Sequence, residues 1–293
     1  MFNSIKNMGN VNFSIGGLFE KHDFFKKFME IYESDRNKFY DYISISSFFG
    51  SVKCNWNGGR IINDYWDRNP ELIAKYMKEN HPEIESRLTF TNTFIEESDL
   101  EDEVGNKLLE LFNYGHNGVI VYSEILEEYI RKHYPKYRII SSITKSLNKE
   151  NTIKELHKDY SLVVLNTNYI LDKEFVSTLP NKQKIEILVN DACSKICPKR
   201  LEHYLSYSRD QKNNYHTRFC NCESSGPLYE LKDKELFISN EKILDYVNMG
   251  ITNFKIQGRT NYDYDLLETL VYYLVKPEYA LEIREKFMLN LID

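Results

Sequence analysis

The chain has 293 residues, of which 42% are hydrophobic and 14% aromatic, and its formal net charge is −6. This hydrophobic content is enough to build a large core, which excludes a natively disordered chain. The acidic balance excludes a protein that coats nucleic acid non-specifically, because such binding requires Lys and Arg to neutralise phosphates. The length is normal for an α/β barrel, which often exceeds about 200 residues as one unit.

Residues 1–17 contain no apolar run followed by a small-residue cleavage site, so no export signal is expected. No stretch of the sequence approaches the ~20 consecutive apolar residues that a membrane-spanning helix requires. We therefore expect a cytoplasmic protein that does not contact a membrane. Thiols stay reduced in that compartment, and clustered cysteines there indicate a metal or redox role before structural disulfides.

Short apolar or β-branched runs alternate with amphipathic stretches along the whole chain. Eight runs are predicted as strands: 11–15, 42–47, 87–93, 119–122, 138–143, 162–165, 185–189 and 253–256. Several are continuously apolar, as expected of parallel strands buried on both faces. The alternation implies helical crossovers, and eight repeats favour a closed (β/α)8 TIM-like barrel over an open sheet. We predict a single barrel domain over residues 1–293, with an elaborated cysteine-bearing loop after the seventh strand.

Polar side chains follow the predicted strands, at the ends that meet at the mouth of a barrel, where barrel enzymes place their chemistry. Lys145 and Arg259 follow the fifth and eighth strands directly, and Lys53 comes after the second. Cations at these positions can pair with a carboxylate or phosphate of a substrate. We predict Lys145 and Arg259 as catalytic residues. The Asn, Ser and Gly residues at the same ends have a second interpretation, since they also make turns and cap helices.

Four of the five cysteines lie within one 30-residue window of the sequence. Three residues separate Cys193 from Cys197, and one separates Cys220 from Cys222. Four thiolates can hold a tetrahedral zinc ion or an iron–sulfur cluster. The first spacing suits a zinc site, the second is tight for one, and neither follows the cysteine run of ferredoxins.

Other interpretations of these cysteines remain open. They could be unrelated buried thiols, because free cysteine packs like a small hydrophobic residue, or they could form a disulfide. His203 and His216 lie in the same window and could replace a cysteine as ligand. Cys54, at the end of the second predicted strand, could also reach the mouth of the barrel as a ligand.

Four segments of the sequence carry the motifs of one known family. The first is Ile187-Leu-Val-Asn-Asp-Ala-Cys193, and the second is the Leu-Ser stretch Leu205-Ser-Tyr-Ser-Arg209. The cysteine pair in Phe219-Cys-Asn-Cys222 is the third, and the fourth is Phe254-Lys-Ile-Gln-Gly-Arg259. Together these segments resemble the peptidase U32 family, whose late Phe-Lys-Ile-Glu-Gly-Arg motif the fourth segment matches with Gln257 in place of Glu. The general barrel pattern extends the resemblance upstream, but only residues 185–259 carry these specific motifs.

The resemblance implies a TIM barrel with a [4Fe-4S] cluster held by Cys193, Cys197, Cys220 and Cys222. It also implies an oxygen-independent hydroxylation, either of an RNA base or as a step of ubiquinone synthesis, with prephenate as the oxygen source. A paired U32-like subunit is implied as well. The expected substrate is thus a small molecule or an RNA nucleotide, and the acidic charge favours the small molecule. The cysteine spacings depart from the family's pattern, which leaves Cys54 as a substitute ligand.

The alternatives are an accessory barrel with structural zinc and a U32-type peptidase. The peptidase activity gains no support from the residues, because the sequence contains neither an H-E-x-x-H motif nor a nucleophile elbow. A cysteine nucleophile beside His203 would leave the other clustered cysteines unexplained.

Overall fold

The computed structural model describes residues 10–58, 69–213 and 227–289. Its eight strands are β1 (Val11–Gly16), β2 (Ile43–Gly50), β3 (Glu85–Phe90), β4 (Gly118–Val121), β5 (Arg138–Ser141), β6 (Leu162–Val164), β7 (Ile185–Leu188) and β8 (Asn253–Ile256). Each strand pairs in parallel with the next, and β8 pairs with β1, so the sheet closes. The prediction of a (β/α)8 TIM-like barrel is confirmed.

Helices lie between the strands and bury their apolar faces against the outside of the sheet. The α-helices of the described residues are α1 (His22–Ser34), α2 (Pro70–Asn80), α3 (Glu103–Leu111), α4 (Glu124–His133), α5 (Lys149–His157), α6 (Lys173–Thr178), α7 (Arg200–Asn213), α8 (Leu228–Lys232), α9 (Asn240–Asn248), α10 (Asp263–Leu274) and α11 (Ala280–Leu289). None of them has the length and apolar composition needed to cross a membrane. The segment between β7 and β8 contains α7, α8 and α9, and it forms the elaborated loop that the sequence predicts.

Seven of the eight strands begin or end at other residues than the sequence predicts, and β2, β3 and β5 differ by two residues or more. β2 continues to Gly50, and its register against β1 shifts by one residue after Phe13. β3 begins two residues early, at Glu85. β5 ends at Ser141, because the hydroxyl of Ser142 accepts the backbone N–H of Thr144 and starts a short 3-10 helix, Ile143–Lys145.

The interior of the barrel has an apolar part and a charged part. Strands β2, β4, β5 and β6 supply the apolar side chains Phe49, Ile120, Ile140, Leu162 and Val164, which pack together. Strands β3, β7 and β8 supply the buried charged side chains Glu85, Arg87, Glu186 and Lys255. Buried charges are stable only when they are paired and hydrogen-bonded, so the contacts among these four decide whether the barrel can close.

Arg87 connects the two buried carboxylates. Its Nε donates to Oε2 of Glu85 at 2.8 Å, and its Nη1 donates to Oε1 of Glu186 at 2.6 Å across the barrel. Arg138 adds a second cation 3.2 Å from Glu85. Glu85 also requires Gly118 beside it, because a Cβ at that position would overlap with the carboxylate. A planar guanidinium suits this role because it donates in two directions at once.

Replacing Arg87 with Met should destabilise the fold by about 3–5 kcal/mol, because it leaves two buried carboxylates with too little positive charge. Urea unfolding followed by circular dichroism measures the change. Lys154→Met is the control, since Lys154 pairs with Glu150 in an exposed ion pair and its loss should leave the unfolding midpoint unchanged. Equal midpoints for Arg87→Met and the wild type would contradict the assigned role.

Candidate active site at the mouth of the barrel

A cavity of about 160 Å³ opens at the carboxyl ends of the strands. Its walls come from strands β2, β3, β4, β7 and β8, from the loops after β3, β5, β7 and β8, and from helix α7. The polar side chains on its walls include Thr89, Thr91, Ser142, Thr144, Asp191, Cys193, Arg200, His203, Tyr204, Tyr207, Lys255 and Arg259. Concave sites with a few converging polar groups at this end of a barrel are where substrates bind.

Lys255 lines this cavity from β8, with only 8% of its surface exposed. Its Nζ lies 3.8 Å from the centre of the Phe49 ring and 3.7 Å from Oε2 of Glu186. Burial lowers the pKa of Lys255 to about 8; the Glu186 carboxylate opposes this effect, and the positive charges of Arg87 and Arg259 add to it. The sequence analysis did not predict Lys255 as a site residue. The signal that could have indicated it is its position inside the late Phe-Lys-Ile-Gln-Gly-Arg segment.

Arg259 also lines the cavity, immediately after β8, as the sequence predicts. Its Nε donates to Oε1 of Glu20 at 2.5 Å, and both side chains are buried. Its Nη2 is buried without a hydrogen-bond partner among the described residues, and so are the hydroxyls of Thr89 and Thr91. A buried polar group without a hydrogen-bond partner lowers the stability of the fold, and an acceptor bound in the cavity would remove this cost.

Lys145 lies outside the cavity that Arg259 lines. Its Nζ donates to Oε1 of Glu155 at 2.7 Å and to the hydroxyl of Tyr160 at 3.0 Å. It borders a separate surface depression with Ser123 and Lys158. The structure therefore does not bring the two predicted catalytic residues into one site, and a catalytic role for either remains a prediction.

The loop after β7 holds Cys193 on the wall of the cavity. Asp191 anchors this loop, because its Oδ1 accepts the backbone N–H of Cys193 at 3.1 Å and its Oδ2 accepts from Arg200 at 3.0 Å. Arg200 also donates to the carbonyl oxygen of Ser194 at 2.7 Å. The thiol of Cys197 is close enough to that of Cys193 to contribute to the shift of its pKa. The structure thus brings together the first pair of predicted ligands.

Burial raises the pKa of Cys193 to about 12; Arg200 opposes the shift, and Asp191 and Cys197 add to it. The thiol is therefore protonated at neutral pH in the absence of a metal. A bound metal would displace that proton, because thiolates are the form that ligates.

Only part of the predicted ligand set can be located. Cys220, Cys222 and His216 lie outside the described residues. Within residues 10–58, 69–213 and 227–289, no three His, Cys, Asp or Glu side chains are grouped so that they could hold a metal ion. His203 lines the cavity, where its ring centre lies 4.3 Å from that of Tyr207. In the described part of the chain, the metal-binding donors beside this cavity are therefore the two neighbouring thiols of Cys193 and Cys197. They account for half of a four-cysteine site.

Cys54 packs inside the hydrophobic core and does not line the cavity. Its Sγ lies 3.8 Å from the hydroxyl of Ser51, and only 6% of the residue is exposed. Burial raises the pKa of this thiol to about 12, with the Asp102 carboxylate adding to the shift. These surroundings are those of a packed thiol.

Comparison with solved structures finds a likeness in fold. No protein-family profile matches the chain, and no curated protein matches it. A solved structure titled "The Structure of the U32 Peptidase Mk0906" superimposes with a TM-score of 0.53 at 11% sequence identity. The match covers 85% of this chain and 92% of that one. At this identity the likeness shows that the two proteins share a fold.

The burial of Cys54 predicts its protection from alkylation. In folded, metal-free protein treated with iodoacetamide, Cys197 should be modified well before Cys54, because Cys54 is buried and only the thiolate reacts. Peptide mapping by mass spectrometry measures both sites, and the same reaction in denaturant, where Cys54 should react fully, is the control. Equal modification of the two in the folded protein would contradict the assigned position of Cys54.

Proposed function

We propose that this protein is a U32-like iron–sulfur enzyme with a small anionic substrate in the mouth of its barrel. In this proposal Cys193, Cys197, Cys220 and Cys222 bind a [4Fe-4S] cluster. The observation that carries the proposal is that Cys193 lines the same cavity as Arg259, with Cys197 beside it. A cluster at these thiols would stand next to the bound substrate.

The surroundings of the first cysteine pair support a cluster. Asp191 and Arg200 fix the loop through hydrogen bonds to the backbone of Cys193 and Ser194, so the position of Cys193 is set by the fold. Thiolates are the usual ligands of iron–sulfur clusters, and basic groups nearby offset the negative charge of such a site. When bound, the cluster supplies one-electron transfer, or an open iron site if one of the four thiols is not a ligand.

The charges around the cavity favour a carboxylate or phosphate on the substrate. Arg200, Lys255 and Arg259 all line it, and Nη2 of Arg259 has no partner among the described residues. The small cavity and the acidic net charge favour a small molecule over an RNA nucleotide. The reaction class that we propose, from the resemblance of the cysteine-bearing segments, is an oxygen-independent hydroxylation or a related redox conversion.

The structural neighbour is titled a peptidase, but the described residues argue against a cysteine peptidase here. Cys193 and His203 both line the cavity, yet burial raises the pKa of Cys193 to about 12. A cysteine nucleophile needs a lowered pKa, because the thiolate is the attacking form.

Protein purified without oxygen should contain iron and acid-labile sulfide and should show a broad visible absorption band. Cys193→Ser and Cys222→Ser should each lose most of that band and of the iron, because each removes a ligand. Cys54→Ser is the matched control and should keep both, since Cys54 lies in the core. Metal analysis and absorption spectra measure the outcome.

Colourless protein with one zinc ion per chain would contradict the iron–sulfur proposal and would support a structural-zinc barrel acting as an accessory subunit. A loss of iron in Cys54→Ser equal to that in Cys193→Ser would contradict the proposed ligand set.

A further inference from the structure

Lys255 is a buried amine on the wall of the cavity that the proposed cluster does not use. It extends from β8 into the barrel, among the Phe49 ring, the Glu186 carboxylate and the guanidinium groups of Arg87 and Arg259. These are the charged groups that face it from β3, from β7 and from the loop after β8. A lysine in a dry site among other cations is the environment in which enzymes keep a nucleophilic amine.

Among the described residues, no carboxylate holds the amine of Lys255 in a close ion pair. Glu186 uses Oε1 to accept from Arg87, and its Oε2 remains 3.7 Å from Nζ of Lys255, beyond hydrogen-bonding distance. Lys21 offers a contrast: it is equally buried, at 8% exposure, but its Nζ lies 2.7 Å from the carboxylate of Asp263. The pKa of Lys255, lowered by burial to about 8, agrees with this difference, because an appreciable fraction of the amine is then neutral near that pH.

An anion-binding group lies in the same cavity. Nη2 of Arg259 is buried and has no hydrogen-bond partner among the described residues, and the hydroxyls of Thr89 and Thr91 are in the same state. A guanidinium binds a carboxylate well, and hydroxyls can donate to a carbonyl oxygen. Together these groups suit a small molecule that carries a carboxylate next to a carbonyl.

We propose that Lys255 forms an imine with the ketone of a small 2-oxo acid whose carboxylate is bound by Arg259. This inference deepens the proposed function by naming a substrate class for the cavity. It shares with that proposal the role of the cavity as the substrate site, and it does not require the cluster.

The step balances without an oxidant or reductant. The lone pair of the neutral Lys255 Nζ attacks the carbonyl carbon, and the C=O π pair moves to oxygen. A proton moves from the nitrogen to that oxygen, which gives a carbinolamine. A second proton then allows the C–O bond to break with loss of water, and the nitrogen lone pair forms the C=N bond. Glu186 is placed to carry protons in this exchange, since its Oε2 has no hydrogen-bond partner among the described residues and lies 3.7 Å from Nζ of Lys255.

The imine can be trapped with pyruvate as the probe. Full-length protein is incubated with pyruvate and sodium cyanoborohydride, which reduces the C=N bond to a stable secondary amine. The intact mass should rise by the mass of pyruvic acid less one oxygen atom, and peptide mapping should place the adduct on Lys255. The labelling rate should increase as pH rises through about 8, because only the neutral amine attacks.

Three comparisons make the result specific. Lys255→Met should remove the adduct, whereas Lys21→Met, the matched buried lysine, should keep it. The ratio of the labelling rates with pyruvate and acetone should be about tenfold higher at Lys255 than at exposed lysines of the same protein, because the carboxylate activates the ketone at every lysine but is held by a charged hydrogen bond only beside Arg259. The mapping on wild-type protein decides the question even if a variant fails to fold.

An adduct absent from Lys255, or spread over exposed lysines, would overturn the proposal. An equal pyruvate-to-acetone rate ratio at Lys255 and at exposed lysines would overturn the role of Arg259. The imine proposal is tested by the mass of the adduct, and the iron–sulfur proposal is tested by the iron content. The failure of one is therefore distinguishable from the failure of the other.

Discussion

The ion pairs that Arg87 makes with Glu85 and Glu186 set the interior of this barrel. Two carboxylates inside a closed sheet would repel each other and remain poorly solvated, and the guanidinium between them removes both problems. The arrangement uses Oε1 of Glu186 and leaves Oε2 facing Lys255 on the next strand. It also fixes glycine at position 118, because a side chain there would occupy the space of Glu85.

The candidate site is built on top of this charged layer. Nζ of Lys255 lies 3.7 Å from Oε2 of Glu186, Arg259 follows at the end of the same strand, and the loop after β7 brings Cys193 to the same cavity. Each group is positioned by buried contacts: Glu20 holds Arg259, and Asp191 holds the cysteine loop. Sites supported in this way keep their geometry without a ligand, which lowers the cost of binding one.

The sequence predicts much of this fold, because parallel strands buried on both faces stand out as short apolar runs between amphipathic helices. The elaborated loop after β7 and the place of Arg259 at the mouth follow from the same pattern. The charged start of β3 does not: the predicted strand begins at Arg87 and omits Glu85, and only their partner on β7 shows that both side chains face inward.

The same limit applies within the site. The ion pair of Lys145 with Glu155, ten residues further along the chain, turns that lysine away from the cavity, and side-chain pairing of this kind leaves no mark on the strand pattern. Cys54 follows a strand as a mouth residue would, yet its side chain packs inside the hydrophobic core. Lys255 was missed because a single cation inside an apolar strand does not reveal which face it occupies, whereas the closed barrel does.

Anomalous X-ray diffraction from crystals of the protein, prepared without oxygen and measured at the iron and zinc absorption edges, tests the central claim most directly. The account predicts a strong iron peak next to the sulfur atoms of Cys193 and Cys197, at the edge of the cavity that Lys255 and Arg259 line. A peak at the zinc edge alone, or iron bound away from these two cysteines, would contradict it.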